Sequence, residues 1–149
     1  MEEIIGKKFI TCKNEEVDPQ KIYNCKLICL FFTASWCSPC EIFSKELFDI
    51  YNHEANQGEK LLEIIQVNLE KQEISQKQII AGDKPWVFIP LNDPTIQKLT
   101  TKFEVDTVPY FLVLDINGKI VSNTGRKDIV NEGAKIVDIW LDLIGHKYE

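Results

Sequence analysis

The feature that most constrains this chain is the passage from residues 26–33 (KLICLFFT) into Trp36-Cys37-Ser38-Pro39-Cys40. Residues 26–33 are an apolar run of strand length, rich in large side chains. A strand wetted on one side alternates apolar with polar; an unbroken run needs cover on both faces, as at the centre of an α/β sheet. A helical pattern follows from about Pro39 to Gln57, with Phe43, Leu47, Ile50 and Tyr51 recurring at helical spacing and Gly58 as its stop. The two cysteines therefore stand where a buried strand gives way to a helix.

That position supplies chemistry. The N–H groups of a first helical turn have no internal partner, and the helix end carries about half a positive charge. A thiolate at Cys37 would face both, and such sites lower a cysteine pKa from about 8.5 to about 3.5–7.5. A fall to about 7 raises the neutral-pH thiolate fraction about 15-fold, while the weaker basicity removes about 5-fold in nucleophilicity. The net gain in attack is only about 3-fold, so the larger benefit is a sulfur that also leaves well. Cys40 lies one helical turn on and can reach back. Pro39 fixes φ between them without losing a needed hydrogen bond.

The rest of the chain reads as an alternation that ends in a hairpin. Residues 7–12 form a candidate edge strand, and 17–22 a turn or a single helical turn. Residues 61–69 (LLEIIQVNL) read as a second buried strand and 70–81 as a weaker helix, ended by Gly82 and a loop through Pro85. Asp93-Pro94 is a good helix start, followed by Ile96, Leu99 and Phe103 on one face. Residues 110–115 (YFLVLD) and 119–122 read as strands joined at Asn117-Gly118, where both residues tolerate positive φ. A last helix from about 128 to 144 buries Ile136, Val137, Trp140, Leu141 and Ile144. The order implies an α/β fold with a central mixed β-sheet flanked by helices on both faces.

Composition narrows the function. The 149 residues fit one compact domain, 1–149, and need no disulfide staples to hold a core. Five cysteines are an odd number, which argues against a complete structural disulfide framework. A net charge of −6 and no basic patch beyond Lys7-Lys8 and Arg126-Lys127 disfavour nucleic acid. The first residues lack the pattern of a signal peptide and no apolar run reaches membrane-spanning length, so no membrane partner is expected. A reducing compartment follows, cytoplasmic or else nuclear, in which a close cysteine pair is catalytic or metal-binding rather than structural.

FFTASWCSPC resembles the active-site strand and turn of the thioredoxin superfamily. Downstream, Lys84-Pro85-Trp86-Val87-Phe88-Ile89-Pro90 resembles the Pro-Trp segment of tryparedoxins and nucleoredoxins. The stretch Phe103-Glu104-Val105-Asp106-Thr107-Val108-Pro109 is similar to the one before their conserved proline, and Gly125-Arg126 with the last helix to their ending. The resemblance spans roughly residues 7–140. It implies a thioredoxin-like fold, dithiol exchange with protein disulfides through Cys37 and Cys40, and no bound cofactor. It further implies a cis Pro109 beside the cysteines, a Val108 backbone that pairs with an extended substrate strand, and Trp36, Pro39 and Trp86 at the substrate surface. An upstream dithiol or reductase must then supply electrons; a monomer is expected.

The chain departs from that branch in Ser38 and Glu41, where tryparedoxins carry a second proline and a basic residue. A carboxylate at Glu41 would compete with Cys37 for the positive helix end. Phe31 stands where thioredoxins bury an aspartate, and Glu70, at the end of the second buried strand, is a candidate substitute. Two other readings stay open. One is a non-enzymatic thioredoxin-fold module that binds a protein partner. The other is a zinc site using Cys25 and Cys29, against which stands their separation of about 13 Å along a strand. Cys12, Cys25 and Cys29 read as small hydrophobes. His53 and His146 read as exposed helix residues without a catalytic role.

Overall fold

The computed structural model describes residues 1–53, 56–70, 75–80 and 82–145. The apolar run forms β1 (Leu27–Thr33), which is buried at every position. It pairs in parallel with β2 (Leu62–Asn68), from Leu27 opposite Leu62 to Thr33 opposite Asn68. On its other side it pairs antiparallel with β4 (Tyr110–Leu114). The short β3 (Val87–Phe88) and β5 (Ile120–Ser122) complete a mixed five-stranded sheet in the order β3-β2-β1-β4-β5.

Alternate residues of β1 feed two separate cores. Leu27, Cys29 and Phe31 face α3 (Ser38–Tyr51), α6 (Gly125–Glu132) and α7 (Ile136–Leu143). Ile28, Leu30 and Phe32 pack toward α1 (Glu2–Ile5), α2 (Pro19–Tyr23) and α5 (Pro94–Lys102) through Ile5, Ile22 and Leu99. This is the two-sided cover that the run requires. The mixed sheet with helices on both faces is the architecture expected from the order of elements.

Helix starts follow their capping chemistry. Asp18 accepts from Gln20 N at 3.0 Å, Asp93 accepts from Thr95 N at 2.9 Å, and each is followed by proline at the first helical position.

Several expectations need correction. Residues 7–12 form no strand; Ile10 alone bridges, donating to Phe88 O and accepting from Phe88 N at 2.9 and 2.8 Å. That bridge covers the outer edge of β3, which one residue can do because β3 itself is only two residues long. The helix expected to reach Gln57 stops at Tyr51, where Asn56 turns its amide back onto Tyr51 O and its Oδ1 accepts from Leu61 N and Leu62 N. Of the expected 70–81 helix, α4 (Gln76–Ile79) is present, while 71–74 and 81 lie outside the described residues. The last helix is two helices joined by a single 3₁₀ turn at Gly133–Lys135, because Gly133 adopts φ +67, a conformation that ends α6. His146 also lies outside the described residues.

Candidate active site

Cys37 is the N-cap of the 14-residue α3, with extended backbone at φ −105 and ψ 105. Its Sγ accepts from Cys40 N at 3.2 Å, so the sulfur takes the place that a serine or aspartate oxygen holds at an ordinary cap. Cys37 and Cys40 are joined by a disulfide with their Cα atoms 5.3 Å apart. Cys40 is fully covered, whereas Cys37 retains 8% of its surface. This asymmetry fits attack at the first sulfur and resolution by the second.

The surroundings assemble from distant chain segments. The Val108–Pro109 peptide is cis, and Val108 O lies 3.8 Å from Cys37 Sγ. Pro109 is buried and Val108 half-buried, the latter packed against Ala34, Cys37 and Cys40. Pro39 is exposed. Trp36 is 49% exposed, and its Nε1 donates to Leu69 O at 3.3 Å. Trp36 and Val108 line a groove of about 590 Å³ together with Glu70, Leu91, Ile96 and Asp106.

Trp86 does not line the substrate surface, contrary to expectation. It is fully buried, packed edge-on against Phe31 and in contact with Phe48 and Tyr51 of α3. Its indole Nε1 donates to Gln66 Oε1 at 2.9 Å, so the polar edge is satisfied within the core.

Glu41 lies in the first turn of α3, with Lys84 Nζ 3.9 Å from its Oε2. Phe31, in the place of the thioredoxin aspartate, is fully buried against Phe43 and Phe111. Glu63 is the fully buried carboxylate among the described residues, and it sits opposite Ile28, five register steps and about 16 Å from the Thr33 end of the strands. Glu70 is half-buried at the active-site end. It accepts from Ser35 N at 2.9 Å, Ser35 Oγ at 2.7 Å and Asn68 Nδ2 at 3.1 Å, and so grips the loop before Cys37.

The other cysteines are remote. Cys29 lies within β1 and Cys25 just before it, both fully buried, while Cys12 is partly exposed. Among the described residues no three His, Cys, Asp or Glu side chains converge as a metal site would need. His53 follows α3 and pairs with Asp138 at 3.5 Å, away from the disulfide.

Residues 24–120 match the thioredoxin-like family. The chain is 32% identical over 111 residues to probable nucleoredoxin 3 of Oryza sativa subsp. japonica, which covers 74% of this chain and 23% of that protein. It is 35% identical over 109 residues to probable nucleoredoxin 3 of Arabidopsis thaliana, covering 73% of this chain and 27% of that one. The chain thus spans about a quarter of the length of the curated relatives it matches. Among solved structures, native tryparedoxin I from Crithidia fasciculata superposes with a TM-score of 0.71 at 27% identity over 85% of each chain.

Proposed function

The chain belongs to the thioredoxin-like family, in its tryparedoxin/nucleoredoxin-like branch, and we propose that it is a thiol–disulfide oxidoreductase that reduces protein disulfides by dithiol exchange. The observation that carries this reading is Cys37 Sγ at the N-terminus of α3, hydrogen-bonded by Cys40 N, joined to Cys40 and 3.8 Å from the carbonyl of Val108, which lines a groove with Trp36.

In the reduced protein the N–H of Cys40 and the helix end favour a thiolate at Cys37. That thiolate attacks one sulfur of a target disulfide; an S–S bond forms to Cys37 and the displaced target sulfur leaves as a thiolate that takes up a proton. Cys40, as thiolate, then attacks Cys37 Sγ. The mixed disulfide breaks, the second target thiol leaves, and the Cys37–Cys40 disulfide closes. Two electrons have passed to the target. They are restored by an upstream dithiol or a reductase, and the two sulfurs carry them without a cofactor.

The target approaches as an extended segment beside Val108, whose backbone offers it strand pairing, with Trp36 and Pro39 supplying exposed apolar contact. The fully covered Cys40 resolves the mixed disulfide only from within the protein.

Reduction of insulin disulfides with a dithiol donor tests the reading. Cys37→Ser abolishes turnover, and Cys40→Ser accumulates a covalent complex between Cys37 and target. Equal activity in the two variants, or no turnover in the unaltered protein, refutes it in favour of a binding module.

A further inference from the structure

Gln66 and Asn68 of β2 and Glu70 just beyond it put three polar residues on one face of a strand whose other residues, Glu63 apart, are Leu, Ile and Val. Gln66 and Asn68 are buried, Asn68 at the floor of the groove that Trp36 and Val108 line. Buried amides are costly unless paired, and apolar residues would serve the core better. Their hydrogen bonds give the reason.

The bonds run in one direction. Trp86 Nε1 can only donate, so it fixes Gln66 Oε1 as acceptor at 2.9 Å. Gln66 Nε2 must then donate, and it does so to Asn68 Oδ1 at 3.0 Å. Asn68 Nδ2 donates in turn to Glu70 Oε1 at 3.1 Å. The Glu70 carboxylate ends the row as acceptor and takes both Ser35 N and Ser35 Oγ. Ser35 sits inside the tight turn closed by Cys37 N donating to Ala34 O at 3.2 Å, the turn that places Cys37 at the head of α3. The far end of the row is the ring that α3 itself packs on through Phe48 and Tyr51.

We propose that Gln66, Asn68 and Glu70 are positioning residues, a row of directed hydrogen bonds that locks the Ser35–Cys37 turn to the buried Trp86 and thereby holds the Cys37 sulfur at the N-terminus of α3. The inference rests on the oxidoreductase reading for its purpose, though its geometry does not. Trp86 serves the site from inside the core. None of the three touches the reacting sulfur; each acts through the next. Breaking the row anywhere frees the amides beyond the break to rotate, and the turn loses its fixed register with the helix end. Displacements of about 1 Å at such distances from the chemistry can cost as much as about 100-fold in rate.

The test uses the reduced full chain and reads the rate of Cys37 alkylation by iodoacetamide as a function of pH, alongside insulin reduction. Asn68→Leu keeps the branched outline of the side chain and removes both bonds; it slows Cys37 alkylation at pH 7 by about tenfold, in line with the loss of one or two buried hydrogen bonds, and moves the midpoint of the pH profile upward. Glu70→Ala does the same. Glu70→Gln recovers most of that loss, because one amide oxygen still accepts and Ser35 Oγ can reverse its role toward the amide N–H. A wild-type rate and profile for Asn68→Leu overturns the proposal. So does a Glu70→Gln variant as impaired as Glu70→Ala, since Glu70 would then act as a charge. Should Asn68→Leu fail to fold, Gln66→Met keeps an unbranched side chain of similar length and removes both of the bonds that Gln66 makes; slower alkylation supports the row and an unchanged rate overturns it. Failure of the oxidoreductase reading looks different: unaltered protein that does not reduce insulin, whatever the alkylation profiles show.

Discussion

Burial pushes the Cys25 thiol up to about 12, and the nearby Glu63 carboxylate adds to the shift; Cys29 is raised too, by burial first and then by the same carboxylate. At neutral pH both are held as inert thiols, whereas Cys37 has a helix end to stabilise its thiolate. After reduction, brief alkylation at about pH 7.5 followed by peptide mass mapping should label Cys37 first and leave Cys25 and Cys29 unlabelled until denaturant is added. Equal labelling of Cys29 and Cys37 in folded protein would contradict the assignment. Glu63 itself carries a pH signature. Burial raises its pKa above the ordinary carboxylate value despite Lys60 at 3.1 Å. A carboxyl with a raised folded pKa contributes stability that is complete below the unfolded value and is lost as pH rises through the folded one. Glu63→Gln has no such dependence. The melting temperature of the variant should therefore gain on that of the unaltered protein as pH rises from about 4, and a difference independent of pH between about 4 and 8 would disprove this sign.

Among the elements, those with a clear pattern were legible in the sequence: β1 from an unbroken apolar run, β2 from a mostly apolar one, α3 and α7 from spacing, α5 from its Asp-Pro start. Elements too short to carry a period were not. Residues 87–88 show no alternation, and α1 is a single turn, so tertiary pairing decides both. The cysteine pair was legible because its chemistry lies within five consecutive residues. The row from Trp86 to Ser35 was not, because a strand glutamine and asparagine look like solvent-facing residues until the donor 20 residues away is in place. Trp86 misleads for the same reason: a tryptophan after proline has no local mark of burial. Gly125, noted only as part of a resemblance, proves to be a contact residue. A Cβ there would lie 2.6 Å from both Phe111 O and Phe111 Cδ2, and a strand carbonyl cannot move aside. Gly125→Ala should cost about 1–3 kcal/mol by overpacking and lower the melting temperature by about 2–4 °C per kcal/mol in a chain of this size. An unchanged melting curve would show that α6 can shift on β4 without loss.

For the molecule as a whole, the family match ends at residue 120, yet α3, which carries the cysteine pair, depends on residues beyond that point. Ile136, Val137, Trp140 and Leu141 of α7 are all buried in the core that also holds Phe43 and Leu47 of α3. Each such side chain contributes about 1.5–3 kcal/mol when removed from water, an upper estimate because unfolded chains already bury some surface. Together the four amount to roughly 6–12 kcal/mol, as large as the whole stability of about 5–15 kcal/mol expected of a folded domain. The path to the site is short. Trp140 stacks on Phe111 with centroids 6.2 Å apart, and Phe111 meets Phe43 edge-on at 5.9 Å. Phe43 lies one turn beyond Cys40, so α7 props the helix whose first turn carries the thiols. A chain ending at residue 124 should thus show no sharp urea transition, bind a dye for exposed apolar surface, and alkylate Cys25 and Cys29 as fast as Cys37. Cooperative unfolding with selective Cys37 labelling in that truncated chain would mean that the matched segment is self-sufficient and α7 an ornament on it.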